Sequence, residues 1–125
     1  MPGLGSSDLV AFAATTDLGR TLEFYGSTLG LRVVEESPIA YVFDANGTLL
    51  RVTLVDEAAV APYTVLGWVV DDIAAAIGDL ASRGVAFERF AGMDQDDLGV
   101  WDAPGGARIA WFRDPEGSVL SLTQP

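Results

Sequence analysis

A chain of 125 residues is one ordinary domain in size, with no room for a second. Half of it is apolar and a fifth charged, a folded composition, and the formal net charge of −11 argues against nucleic acid, whose phosphates need clustered Arg and Lys. The absence of both Cys and His removes disulfides, thiol nucleophiles, zinc sites with sulfur or imidazole ligands and imidazole acid/base catalysis together.

Met1 to Asp8 has no basic region followed by an apolar segment, so it reads as a short loose tail and not a signal peptide. The longest apolar runs, such as Val65 to Val70, are too short to cross a bilayer, and a cytoplasmic protein without membrane partners is expected. The acid surplus suits a cationic ligand or simply keeps the chain in solution. All seven basic residues are Arg, which fits the base composition of a GC-rich bacterial genome better than a function.

Leu9 to Ala14 reads as a strand. Asp17 then caps a helix with apolar positions Leu18, Leu22, Tyr25 and Leu29, and Gly30 ends it. Arg32 to Glu35 is a further strand, and Tyr41 to Thr53 a hairpin turning at Asn46-Gly47. The run Asp56 to Pro62 breaks the strand patterns and joins two halves. Beyond it the plan repeats: a strand from Tyr63 to Val70, and a helix capped by Asp71 or Asp72, carrying Ile73, Ala76, Ile77 and Leu80 and closed by Gly84. A strand from Val85 to Phe90 and a last hairpin from Trp111 to Thr123 follow. The two hairpins align without a gap, Asp44 on Asp114 and Gly47 on Gly117, which marks an internal repeat.

The expected fold is therefore α+β. It is a single domain over 1–125 of two tandem β-α-β-β-β modules, about 8–56 and about 63–124, with a curved mixed sheet around a concave pocket and helices on the outer face. Thr16 to Leu31, with its Asp, Phe-Tyr pair and Leu-Gly-Leu ending, and Asp114 to Leu122, with its Asp-Pro-Glu-Gly turn, resemble the vicinal oxygen chelate superfamily, the glyoxalase/bleomycin resistance protein/dioxygenase group. The resemblance runs from about Asp8 to Gln124.

Metal-dependent members of that group take ligands from the first and last strand of each module. Here those four slots hold Val10, Arg51, Val65 and Ser121, and none is a normal ligand for a divalent cation. No metal and no cofactor are expected, and catalytic residues are not identified. Strand alternation places Leu50, Val52, Leu54, Leu120 and Leu122 on a face toward the helices, with Trp68. It places Arg51, Thr53, Ser121 and Thr123 on the other, with Val10 and Phe12. Arg51 reads either as a contact to a ligand oxyanion or as an internal ion pair with Asp44 or another acid.

The connection Phe90 to Trp101 reads either as a flap, with Met93 and Trp101 against an apolar ligand and Asp94, Asp96 and Asp97 toward a positive group, or as an acidic surface loop pinned by Trp101. The same acids with Gln95 lack the spacing of a calcium loop, and Pro104 to Gly106 is only a turn. The candidate ligand-binding residues are thus Arg51, Phe12, Thr53, Ser121, Met93, Trp101 and Asp94.

The leading reading is a metal-independent binding protein of the bleomycin-resistance type, holding an aromatic or cationic small molecule in the sheet concavity. The second is a metal-independent isomerase or lyase on a small oxygenated metabolite, with Arg51 on an anionic oxygen and Asp44, Asp94 or Asp96 as base. A metal-dependent glyoxalase or dioxygenase is disfavoured without His. A homodimer is implied by the resemblance alone.

Overall fold

The structure, a computed structural model, describes residues 3–125. Of the loose leading segment, Met1 and Pro2 lie outside the described residues, and Gly3 to Asp8 forms neither helix nor strand. The chain divides into two compact units, one ending at Ala58 and the other beginning at Ala59, inside the expected joint. No helix among the described residues is long and apolar enough to cross a membrane.

The first unit contains β1 (Val10–Thr15), α1 (Leu18–Thr21) running directly into a π-helical stretch (Leu22–Thr28), β2 (Arg32–Glu36), β3 (Ala40–Ala45) and β4 (Thr48–Leu54). Its sheet has the order β1-β4-β3-β2, with β1 parallel to β4 and the other pairs antiparallel. The β3–β4 turn is set by Asn46 and Gly47, at φ 51° and 95°, the left-handed pair that a tight hairpin requires. Asp44 Oδ1 accepts the Gly47 amide at 2.8 Å and fixes the turn from inside. Tyr25, Phe43, Leu50 and Val52 are buried together between sheet and helix, with the Tyr25 and Phe43 ring centroids 5.9 Å apart.

Asp17 caps the helix as expected, accepting the Arg20 amide at 3.2 Å. The buried positions differ: Thr21 and Tyr25 face the sheet, whereas Leu22 is exposed. The Leu29 amide donates to the Phe24 carbonyl, five residues back, and this wider winding rotates the apolar stripe away from the α-helical spacing.

The second unit contains β5 (Thr64–Val69), α2 (Ile73–Ser82), β6 (Trp101–Asp102), β7 (Arg108–Arg113) and β8 (Val119–Gln124), in the sheet order β5-β8-β7-β6. It repeats the pairing of the first, with β5 parallel to β8. Asp72, not Asp71, is the cap of α2, accepting the Ala75 amide at 3.0 Å, and Ile73 and Ile77 are its buried stripe. Below it lie Phe112, Leu120 and Leu122, with Trp68 stacked 6.4 Å from Phe112 on the helix side and half-buried. Asp114 repeats the part of Asp44, accepting the Glu116 and Ser118 amides across the last turn.

One expected strand is corrected. Val85 to Phe90 carries no ladder; its backbone tie to the sheet is the Glu88 amide donating to the Trp111 carbonyl at 2.8 Å. The edge of β7 is held instead by Trp101–Asp102, which pair with Ile109 and Arg108. A long connection from α2 to β6 results, free to line one side of a cavity.

Candidate functional site

In the second unit, the face of the sheet away from α2 is built by alternation. Trp111 pairs with Ser121 and Ser121 with Gly67, so all three share that face, and Arg113 with Val119 extend it. Together with this floor, the segment Val60 to Thr64, Phe90 and Met93 line an open cleft of about 380 Å³. Its walls are aromatic: Phe90 stands edge-on to Trp111 with centroids 5.5 Å apart, and Tyr63 is largely exposed at the rim. A space of this size is within the range that holds a small organic ligand.

The cavity has one charged lining residue, Arg113, and its charge is met inside the protein. Its Nε donates to Glu88 Oε1 at 2.7 Å and one terminal nitrogen to the Gly117 carbonyl at 2.9 Å. That clamp draws the guanidinium toward Glu88, and the rest of the lining is aliphatic or aromatic apart from Thr64, with the Met93 thioether among it.

Gln95 ties the wall together. Its side-chain oxygen accepts the Phe90 amide at 2.8 Å, and its nitrogen donates to the carbonyls of Glu88 and Gly99 at 3.0 and 2.8 Å. Asp96 turns its carboxylate to the Leu98 and Val100 amides and pairs with Arg108, so it organises the loop and does not face a ligand. Asp94 and Asp97 are exposed.

Of the candidate residues, Met93 lines this cavity, and Trp101 lies behind Trp111 with ring centroids 6.1 Å apart. Ser121 is 8 % exposed on the cavity face, and its hydroxyl has no hydrogen-bond partner among the described residues. The Ser121 Oγ occupies the space a side chain on Gly67 would need, 2.6 Å from an added Cβ. Tyr63, Phe90, Trp111 and Arg113 line the cavity without being candidates from the sequence. Trp111 is within reach of sequence reasoning, since counting back across the last hairpin from Ser121 puts it on the same face. Tyr63 and Phe90 read as strand ends and carry no pattern that marks a wall.

In the first unit, Val10, Phe12, Arg51 and Thr53 share the face away from the helix, as alternation requires. Arg51 is half-buried, Phe12 is 64 % exposed, and Val10 is exposed. The alternative ion pair of Arg51 with Asp44 does not form: Asp44 is engaged by Arg32 at 3.2 Å.

The four slot positions do not fit a divalent cation, because two valines, an arginine and a serine supply neither carboxylate nor imidazole. Among the described residues no three acidic side chains converge to hold a metal ion.

The model of the Glyoxalase/Bleomycin resistance protein/Dioxygenase superfamily matches residues 8–122. No curated protein matches the chain. Among solved structures, the chain is similar to a glyoxalase/bleomycin resistance protein from Catenulispora acidiphila, at 24 % identity and a TM-score of 0.71 over 96 % of this chain and 99 % of that one. It is also similar to a lactoylglutathione lyase from Agrobacterium tumefaciens, at 16 % and 0.73 over 95 % and 93 %. A superfamily member from Sphaerobacter thermophilus gives 21 % and 0.72 over 96 % and 98 %. At these identities the likeness is one of fold.

Proposed function

The chain belongs to the glyoxalase/bleomycin resistance protein/dioxygenase superfamily, and on that premise we propose that it is a metal-independent binding protein for a small aromatic compound, held in the cavity of the second unit. The observation that carries this reading is the wall of Phe90, Trp111, Tyr63 and Met93 around about 380 Å³, with its one arginine neutralised by Glu88. A flat ring gains from offset or edge contacts with such walls. A positive substituent on that ring gains further, from the π-faces and from the net charge of −11.

Binding of this kind needs no proton transfer and no nucleophile. Of the three acids considered as bases, Asp44 and Asp96 are committed to turn amides and arginines, and Asp94 is exposed and does not line the cavity. Isothermal titration with indole and with benzyltrimethylammonium tests the reading. Both are expected to bind, and Trp111→Ala is expected to weaken them about three- to tenfold. Unchanged affinity in Trp111→Ala, or no binding of either probe, would overturn it.

A further inference from the structure

In the first unit, Arg51 stands apart from the other arginines. Each of those directs its guanidinium to a carboxylate or a backbone carbonyl inside the chain. Arg51 has no ion-pair or hydrogen-bond partner for its side chain among the described residues, although the chain carries 18 acids against 7 basic residues. It is half-buried at the middle of β4, an interior strand, so this is not a side chain free to sweep through water.

Its surroundings follow from the ladder. Across the sheet the row reads Phe12, Arg51, Val42 and Glu35. Glu35 is the acid in that row and stands two strands away, a backbone separation of about 9–10 Å, and it makes no ion pair with Arg51. One step along the same face is Thr53, whose hydroxyl is also without a partner among the described residues, and it is flanked by the small side chains of Ala14 and Ala40. A partly desolvated guanidinium with its donors open is complementary to a planar group with two oxygens, which takes both N–H bonds at once.

We propose that this sheet face binds an aromatic monocarboxylate, its carboxylate on Arg51, one of its oxygens accepting from the Thr53 hydroxyl, and its ring against Phe12. Phe12 pairs with Arg51 in the parallel ladder and is 64 % exposed, so it offers an apolar face beside the charge. A single cation in a chain of net charge −11 selects a monoanion over a phosphate dianion, because the surrounding field penalises the second charge. This site draws on residues of the first unit alone and does not rest on the reading of the second unit's cavity.

Isothermal titration of the full chain with benzoate, benzyl alcohol and phenyl phosphate tests the assignment. Benzoate is expected to bind the wild type and Trp111→Ala alike, and to bind Arg51→Met about ten- to a hundredfold more weakly. Arg51→Lys, which keeps the charge but not the fork, is expected between them, and it decides the matter if Arg51→Met fails to fold. In the Trp111→Ala chain, where the aromatic cavity is weakened, equal binding of benzoate with and without the arginine substitutions would overturn the site, as would benzyl alcohol binding as well as benzoate or phenyl phosphate binding better. Loss of benzoate in Trp111→Ala alone would move the carboxylate to the second unit and refute this assignment while sparing the aromatic cavity.

Discussion

At the scale of single residues, Gly67 and Ser121 are the tightest pair in the second unit. A glycine in a strand interior ordinarily gains from replacement by alanine, which narrows the unfolded ensemble. Here the added Cβ would lie 2.6 Å from Ser121 Oγ, so the sign reverses unless the hydroxyl rotates away. Gly67→Ala is expected to destabilise by about 1 kcal/mol in urea unfolding, and Ser121→Ala in the same chain to recover most of it. A stabilised Gly67→Ala would show that the hydroxyl moves freely. Much of this scale is legible in the sequence: alternation alone puts Arg51, Thr53, Phe12 and Ser121 on the face where they stand. Which of those side chains lack partners is not legible, because ion pairs such as Arg32 with Asp44 join positions that no periodicity links.

At the scale of elements, the connection from α2 to β6 is tied at three backbone groups by one side-chain amide. Gln95 satisfies three backbone groups that otherwise face each other across the loop. Gln95→Leu is expected to cost about 2 kcal/mol and to raise hydrogen exchange at the Phe90 amide. The same variant is expected to weaken ligands of the aromatic cavity, since Phe90 and Met93 are its wall. Unchanged exchange would mean that the loop is held elsewhere. The sequence marks this loop through its length and composition, but it overextends the preceding strand. Val85 to Phe90 has strand-like residues, yet its backbone reaches the edge of β7 through the Glu88 amide alone, while Arg108 and Ile109 on that edge are taken by β6. The helix of the first unit shows the opposite miss. Its start, cap and end are readable, whereas the five-residue winding that buries Thr21 in place of Leu22 leaves no mark in apolar spacing.

For the whole molecule, charge is the dominant variable. Ion pairs such as Arg32 with Asp44, Arg108 with Asp102 and Arg113 with Glu88 are solvent-accessible, and such pairs contribute little to stability. Repulsion within a chain of net charge −11 is expected to outweigh them, and salt screens it. Raising sodium chloride from about 10 mM to about 150 mM is therefore expected to raise the melting temperature by a few degrees. A fall would show that the ion pairs outweigh the repulsion. The duplicated architecture is the most legible property at this scale, since the hairpins match without a gap and each turn carries its aspartate in the same place.

That duplication also shows where the two copies were released from each other. In the first unit the strand after the helix is laddered to β3, while in the second the corresponding stretch is tied by the Glu88 amide and the two residues of β6. A repeated module acquires a new use where one copy escapes a constraint that the other keeps, and here the escape falls on residues 83–100. Substitutions at Phe90 or Met93 reshape a cavity wall without breaking a rung of the sheet. The shape of that wall can thus change one residue at a time while the ladders of both sheets stay as they are.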